Sequence, residues 1–505
     1  MGSSTFYVPW IGPDKARVWT LIAILVGAIV FCIVYVPSVT CVPNDDKGVC
    51  AAPVDPGLQG LSTIGTPMWR SCPCNTSTTV RVSANARTLS NTVFANGDVP
   101  PTVEVRGLSS MTISVLQFML NDISGPLWDG TDYEVPIPDG DPFFSTPGNI
   151  SVPNWITSPD TAGCPNPLMY ATPYIDLSNI YGVDATRLNN QLRSHEGGHM
   201  RLDPDNALLP YDAVGDPFLM ADPRDGYTAD LLALHTLMVR NHNSWADRVA
   251  GIHQDWTEDQ IFWKARQLNV AEWQHVVFYE WLPALLGSVA PPQHSTLTTY
   301  NPALTPAVRL EVAAVVGPAF VDTFTPSMYG TVSWASQHGT IAAATLIQTE
   351  ATIADMLSRM VKSPAFAFDA RVINARRNLY NGTSPEDLVV SHLQRARVLR
   401  IPDWAAIYTC FGTTPIAGDP RDAYQGFLEE LIYPGTSTGL TGGSLLGGEM
   451  GRLRDADPYF YTFKRTEIGQ IFWKDIIHGS MRGILLRNGG VSFAEIGGGN
   501  VFFTQ

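Results

Sequence analysis

Nineteen residues without a charge, Val18 to Val36, follow Lys15 and Arg17 and end at Pro37. A helix of that length crosses the hydrocarbon core of a bilayer, so the chain beyond it must fold on one side of a membrane. The basic flank lies on the N-terminal side and Asp45 and Asp46 follow the apolar run. The positive-inside tendency therefore predicts a cytoplasmic tail over 1–17, a transmembrane helix over 18–36, and an exoplasmic remainder that is extracellular, lumenal or on a virion surface. A cleaved signal peptide is the competing reading, but its apolar core is usually shorter. The Met1-Gly2 start does not make a myristoylation site, because Phe6 stands where that motif needs Ser or Thr.

The remaining length is ample for a large core, with 45% hydrophobic and 16% charged residues. A net charge of −15 and the lack of any Lys/Arg block exclude a phosphate-tracking surface, and with it nucleic acid as a partner. Cys32 lies inside the apolar run, which leaves Cys41, Cys50, Cys72, Cys74, Cys164 and Cys410, enough for three disulfides whose pairing the sequence leaves open. Cys72-Pro73-Cys74 is too tight for a zinc half-site and has no second pair to complete one. Glycosylation sequons begin at Asn75, Asn149 and Asn381, in keeping with an exoplasmic glycoprotein.

Residues 37–85 have Pro, Gly, Ser and Thr but no sustained apolar period, and read as a tether ordered by its cysteines. Beyond it the period becomes helical. Leu231, Leu234, Leu237 and Met238 share a face over Thr228–Ile252, and a second long amphipathic helix fits Asp259–Gly287. Shorter helices fit Leu108–Ile123, Pro306–Val316 with Gly317 just past its end, Ile341–Val361 and Asp419–Tyr433. Strand-like alternation is scarce, so the fold class is mainly α. The glycine-rich stretch Gly435–Gly451 reads as a surface loop, since the strand and lysine of a phosphate cradle are missing.

Four blocks in order, "ATPYIDLSNIYG" (171–182), "DPRDGYTADLLALHTLMVRNHN" (222–243), the 259–287 helix and "RLRDADPYFY" (452–461), resemble animal-type haem peroxidases of the peroxidase–cyclooxygenase superfamily. The resemblance spans roughly 65–490. It implies a helical peroxidase-like domain over 86–490, with a C-terminal tail at 491–505, and a haem slot between central helices. It also implies a calcium loop: Thr172, the carbonyl of Tyr174, Asp176 and Ser178, joined by Asp122 from the distal helix. All five residue types are in place, and carboxylate, hydroxyl and carbonyl oxygens form the hard set that calcium takes. An ordinary Asp and Ser/Thr capping turn is the alternative.

The haem positions depart from the same pattern. The family's distal Gln-x-x-Asp-His-Asp reads "QFMLND" here, which keeps Gln117 and Asp122 but puts Leu120 at the haem-ester Asp and Asn121 at the distal His. An amide cannot take a proton from peroxide and return it. Arg224 matches the distal arginine, while Tyr227 stands at the second ester carboxylate. The segment matching the proximal helix, 310–330, contains no histidine, and either Val321 or Asp322 falls at the ligand position. His392, at the family's supporting Asn, is the remaining candidate for iron. His235, His242 and His275 read as packed or surface histidines.

The expected protein is thus a membrane-anchored pseudoenzyme. It binds calcium, lacks haem, has no confident catalytic residue, and acts as a structural, adhesive or assembly subunit beside other protein subunits. A haem-dependent peroxidase or oxygenase with unusual ligation is the second hypothesis, and a scaffold holding an apolar ligand in the old slot is the third.

Overall fold

The computed structural model describes residues 65–75, 84–95, 102–211, 218–323, 347, 352–381, 384–411 and 421–505. The expected span Val18–Val36, Cys41 and Cys50 lie outside them. Among the described residues no helix is long and apolar enough to cross a membrane.

Three helices build the centre: Ser110–Ile123, Ala229–Ile252 and Glu258–Val276, the last running on through a π turn at Val277–Trp281 into Leu282–Leu286. Local chemistry sets their ends. Thr257 and Gln260 close a reciprocal capping box at the start of the third helix, with Glu258 and Asp259 in its first turn. Asp230 occupies the first turn of the second and accepts a 2.6 Å bond from Ser114 Oγ, which fixes that helix against the first. Phe118 meets Trp273 edge to face at 5.5 Å, and Trp281 donates to the Thr112 carbonyl at 3.0 Å. Both indoles are fully buried. The mainly helical expectation holds, and the two long helices fall within a residue or so of their expected ends.

Strands are few and peripheral. Thr66–Pro67, Pro165–Met169 and Thr157–Pro159 form an antiparallel sheet with the second in the middle, and Trp128–Pro136 pairs with Asn149–Trp155 as a ribbon. Part of the expected tether is therefore built into the domain. Two disulfides from the Cys72-Pro73-Cys74 segment secure it, Cys72–Cys410 and Cys74–Cys164, closing sequence separations of 338 and 90 residues. Residues 491–505, read as a tail, also join the domain. Phe502 is fully buried and its carbonyl accepts from Ser109 N and Thr112 Oγ1 at 2.9 and 2.7 Å.

Two helix expectations need correction, both at glycines. The Pro306–Val316 helix does not stop at Gly317: a π turn at Val312–Val316 leads straight into Gly317–Val321. Gly435–Gly451 is no surface loop but contributes most of a largely buried helix, Leu440–Ala456. A Cβ at Gly442 would lie 2.9 Å from Phe320 Cζ, so glycine is what lets this helix approach the Gly317–Val321 segment. Helix propensity disfavours glycine by about 1 kcal/mol per residue, and close packing of the helix outweighs that. The Asp419–Tyr433 expectation shortens to Ala423–Leu428, and the described part of Ile341–Val361 is Ile353–Lys362 with Ile347 before it.

Because the two disulfides close long loops of the unfolded chain, the double variant Cys72→Ser/Cys410→Ser should lose about 2–5 kcal/mol of stability. Urea unfolding read by tryptophan fluorescence measures this. An unchanged midpoint would show that the bridge contributes nothing.

Candidate functional site

The five expected calcium residues sit around one turn. Leu177 takes the left-handed conformation at φ 57°, rare for a bulky side chain, and so turns two successive amides toward the Ser110–Ile123 helix. Leu177 N and Ser178 N donate to the two oxygens of Asp122 at 3.1 and 2.6 Å, and Ser178 Oγ donates to the Asp122 carbonyl at 2.7 Å. Thr172 Oγ1 donates to Asp176 at 2.7 Å, and Tyr174 lies buried between them in the loop. Burial, with the charge of Asp176 added, pushes the Asp122 carboxyl well above the usual range. Burial also raises Asp176, although Arg266 stands 3.8 Å away. Two buried carboxylates so close leave a deficit of positive charge that a divalent cation would fill. Among the described residues no group of three or more His, Cys, Asp or Glu side chains is placed to hold a metal. A cation here would rest on two carboxylates plus hydroxyl and carbonyl oxygens, a set that suits calcium.

One residue earlier, Asn121 faces another way and is fully occupied. Its carbonyl oxygen accepts from Gln117 at 2.9 Å and its amide donates to Asp225 at 2.9 Å. Asp225 also accepts from Asn179 at 2.8 Å and pairs with His235 Nδ1 at 2.8 Å. Burial raises the Asp225 carboxyl, and the hydrogen bond and charge of His235 act against that rise. Arg224 is tied down as well, donating to the Asn121 backbone carbonyl at 2.8 Å and pairing with Asp222 at 2.6 Å. Asp225, Asn179 and His235 were not singled out as site residues from sequence. The one available signal was an acid next to Arg224 inside a matching block.

On the facing side the two candidate residues, Val321 and Asp322, have different surroundings. Val321 belongs to the apolar core, whereas Asp322, at the end of the Gly317–Val321 helix, meets His392. One Asp322 oxygen accepts from Arg376 at 2.9 Å; the other accepts from Tyr424 at 2.5 Å and pairs with His392 Nδ1 at 2.7 Å. Burial alone would raise this carboxyl, but His392, Arg376 and Tyr424 together hold it down at about 2. His392 thus packs against the Asp322 carboxylate. His235, His242 and His275 are buried, and burial pushes His242 to about 3 and His275 to about 4.

The two sides touch. A Cβ at Gly317 would lie 2.7 Å from both δ carbons of Leu120, so the leucine at the ester position fills the space against the facing helix. These residues do not fit haem. By the resemblance, Leu120 puts hydrocarbon at the position of a haem-ester carboxylate, Val321 or Asp322 rather than an imidazole falls at the position of the iron ligand, and Tyr227, at the second ester position, is 38% exposed.

Asp322 makes stability depend on pH in a stated direction. Its folded pKa lies below the ordinary value near 4, so its contribution is complete above about pH 4 and lost as pH falls toward 2. Wild type should exceed Asp322→Asn by on the order of 2 kcal/mol at pH 5–7, with the gap closing toward pH 2. Urea midpoints across that range decide it, and a gap independent of pH would refute the assignment.

Comparison with known proteins agrees with this architecture. The family model for animal haem peroxidase matches residues 65–418. Human dual oxidase 1 is 27% identical over 336 residues, 55% of this chain and 21% of that protein. Human dual oxidase 2 is 28% identical over 413 residues, 67% of this chain and 26% of that protein, and Drosophila melanogaster peroxidasin is 27% identical over 278 residues, 45% and 18% respectively. The chain therefore spans about a quarter or less of these relatives. Among solved structures, peroxidase A from Dictyostelium discoideum superposes with a TM-score of 0.75 at 20% identity, covering 88% of this chain and 96% of that one. Fatty acid alpha-dioxygenase from Arabidopsis thaliana gives 0.76 at 15% identity, covering 92% and 83%. Both show the shared fold. With most of its length matched by the family model, the chain belongs to the animal haem peroxidase family.

Proposed function

We propose that this protein is a pseudoenzyme of its family: a membrane-anchored, exoplasmic domain that neither holds haem nor turns over peroxide. It works through its surface as a structural, adhesive or assembly subunit among other protein subunits. The observation that carries the reading is the contact of Leu120 with Gly317, which sets hydrocarbon between the helices that would flank a macrocycle. Asn121, Arg224 and Asp322 support it, since each is already hydrogen-bonded to protein partners.

The purified full chain should show no Soret band and no peroxide-dependent oxidation of a dye. Asn121→His should remain inactive, because it returns a base without making room for haem or supplying an axial ligand. A Soret band at one iron per chain would overturn this reading in favour of the haem enzyme, and its loss in His392→Ala would name the ligand.

The calcium loop is proposed as a structural site. Asp122, Asp176, Thr172, Ser178 and the Tyr174 carbonyl would hold the ion, whose charge would offset the two buried carboxylates. A ligand that binds only the folded form stabilises it by mass action, so chelation should lower the melting temperature and added calcium restore it. Asp122→Asn should weaken that response. No thermal shift on chelation, with no calcium by metal analysis, would exclude the site.

A further inference from the structure

Two neighbouring loops reverse the usual surface polarity. In residues 102–107, Val105 is 81% and Val103 49% exposed, while Glu104 between them is buried and accepts from the amides of Arg106 and Leu108. In the second loop Leu431 is 89% exposed, followed by Ile432 and Tyr433, each at 40%. The preceding acids are engaged. Glu430 accepts from Thr441 N and Gly442 N at the start of the Leu440–Ala456 helix, and Glu429 pairs with Arg421 at 2.6 Å. Arg106 joins the loops, donating to Ser437 Oγ at 3.0 Å and to the Ala284 carbonyl at 2.6 Å. Neither loop contains a sequon.

Exposed aliphatic side chains with their neighbouring charges turned inward or paired mark a surface that is covered in use. The geometry points to the bilayer as its cover: the 103–105 and 431–433 loops rest on the outer leaflet of the membrane that holds Val18–Val36. The inference relies on the proposed anchor. Residues 37–64 separate the apolar run from Gly65 and can extend to about 95 Å, so the tether keeps the domain near the membrane without choosing the face it presents. That face must be chosen by the domain itself. A net charge of −15 rules out general attraction to an anionic leaflet and leaves apolar contact as the means. Tyr433 suits such a contact, with an apolar ring and a hydroxyl that stays at the headgroup level.

The test uses the full chain in phosphatidylcholine nanodiscs. An environment-sensitive dye on Leu431→Cys should shift to the blue and be quenched by spin labels on lipid acyl chains, against the background of the chain without the added cysteine. The same dye on Asp205→Cys, exposed and outside both loops, should stay solvent-like. Adding Val105→Asp and Ile432→Asp should abolish the shift at Leu431 while leaving the melting temperature unchanged. A solvent-like dye at Leu431 overturns the proposal, as does shielding that persists in detergent and requires a co-purified protein. Alkaline carbonate extraction reports separately on the anchor: release of the domain rejects the anchor, while quenching at Leu431 still decides the loops.

Discussion

The contact between Leu120 and Gly317 governs the centre of this protein. A haem peroxidase keeps two helices apart to sandwich a planar cofactor, whereas here a leucine occupies the gap and a glycine lets the facing backbone approach it. The approach continues outward. Phe320, one turn beyond Gly317, leans on Gly442, so the glycine-rich helix is drawn to the back of the same segment. Interiors pack near crystal density, and a slot that no longer held its cofactor would forfeit dispersion contacts along both walls. On the proposed reading, hydrocarbon in that slot removes the penalty and lets the surrounding fold keep its family form.

The polar positions around the slot obey a related constraint. Buried donors and acceptors need partners whether or not a cofactor is there. Asn121 is satisfied by Gln117 and Asp225, Arg224 by Asp222 and the Asn121 carbonyl, and Asp322 by Arg376, Tyr424 and His392. Groups that in a working peroxidase would face substrate or iron here face one another. Removing one member would leave buried atoms of the others unpaired, at a typical cost of about 1–3 kcal/mol.

Sequence reasoning reached this arrangement unevenly, and the physics of each element explains why. Ala229–Ile252 and the helix beginning at Glu258 were legible because long amphipathic periods are local signals. Leu120 and Asn121 could be singled out in the sequence because a motif fixes their positions. The Asp225–His235 pair was missed, since two residues ten apart become partners only when a short helical turn and a long helix meet. Leu440–Ala456 was misread because its glycines oppose helix formation locally and are accounted for only by Phe320 and other neighbours distant in sequence. The Cys72–Cys410 and Cys74–Cys164 pairing was unavailable for the same reason: the separations are long and several pairings satisfy the spacing equally.

Asp122 and Asn121 are neighbours on one helix, yet one keeps the family's residue and the other does not. Successive helical residues point about 100° apart, and this rotation sends Asp122 into the 172–178 loop while Asn121 turns toward Asp225. The two sites consequently share a backbone but no side-chain partner. The proposed loss of haem chemistry would remove any requirement for a base at 121 and relax nothing at 122. There the carboxylate receives two backbone amides from a turn that Leu177 holds in a rarely occupied conformation. A residue without a side-chain acceptor at 122 would leave both amides unpaired in a buried place, and Asn, with one acceptor oxygen in place of two, would leave one. The 172–178 loop therefore answers to demands of the fold itself, which do not depend on catalysis.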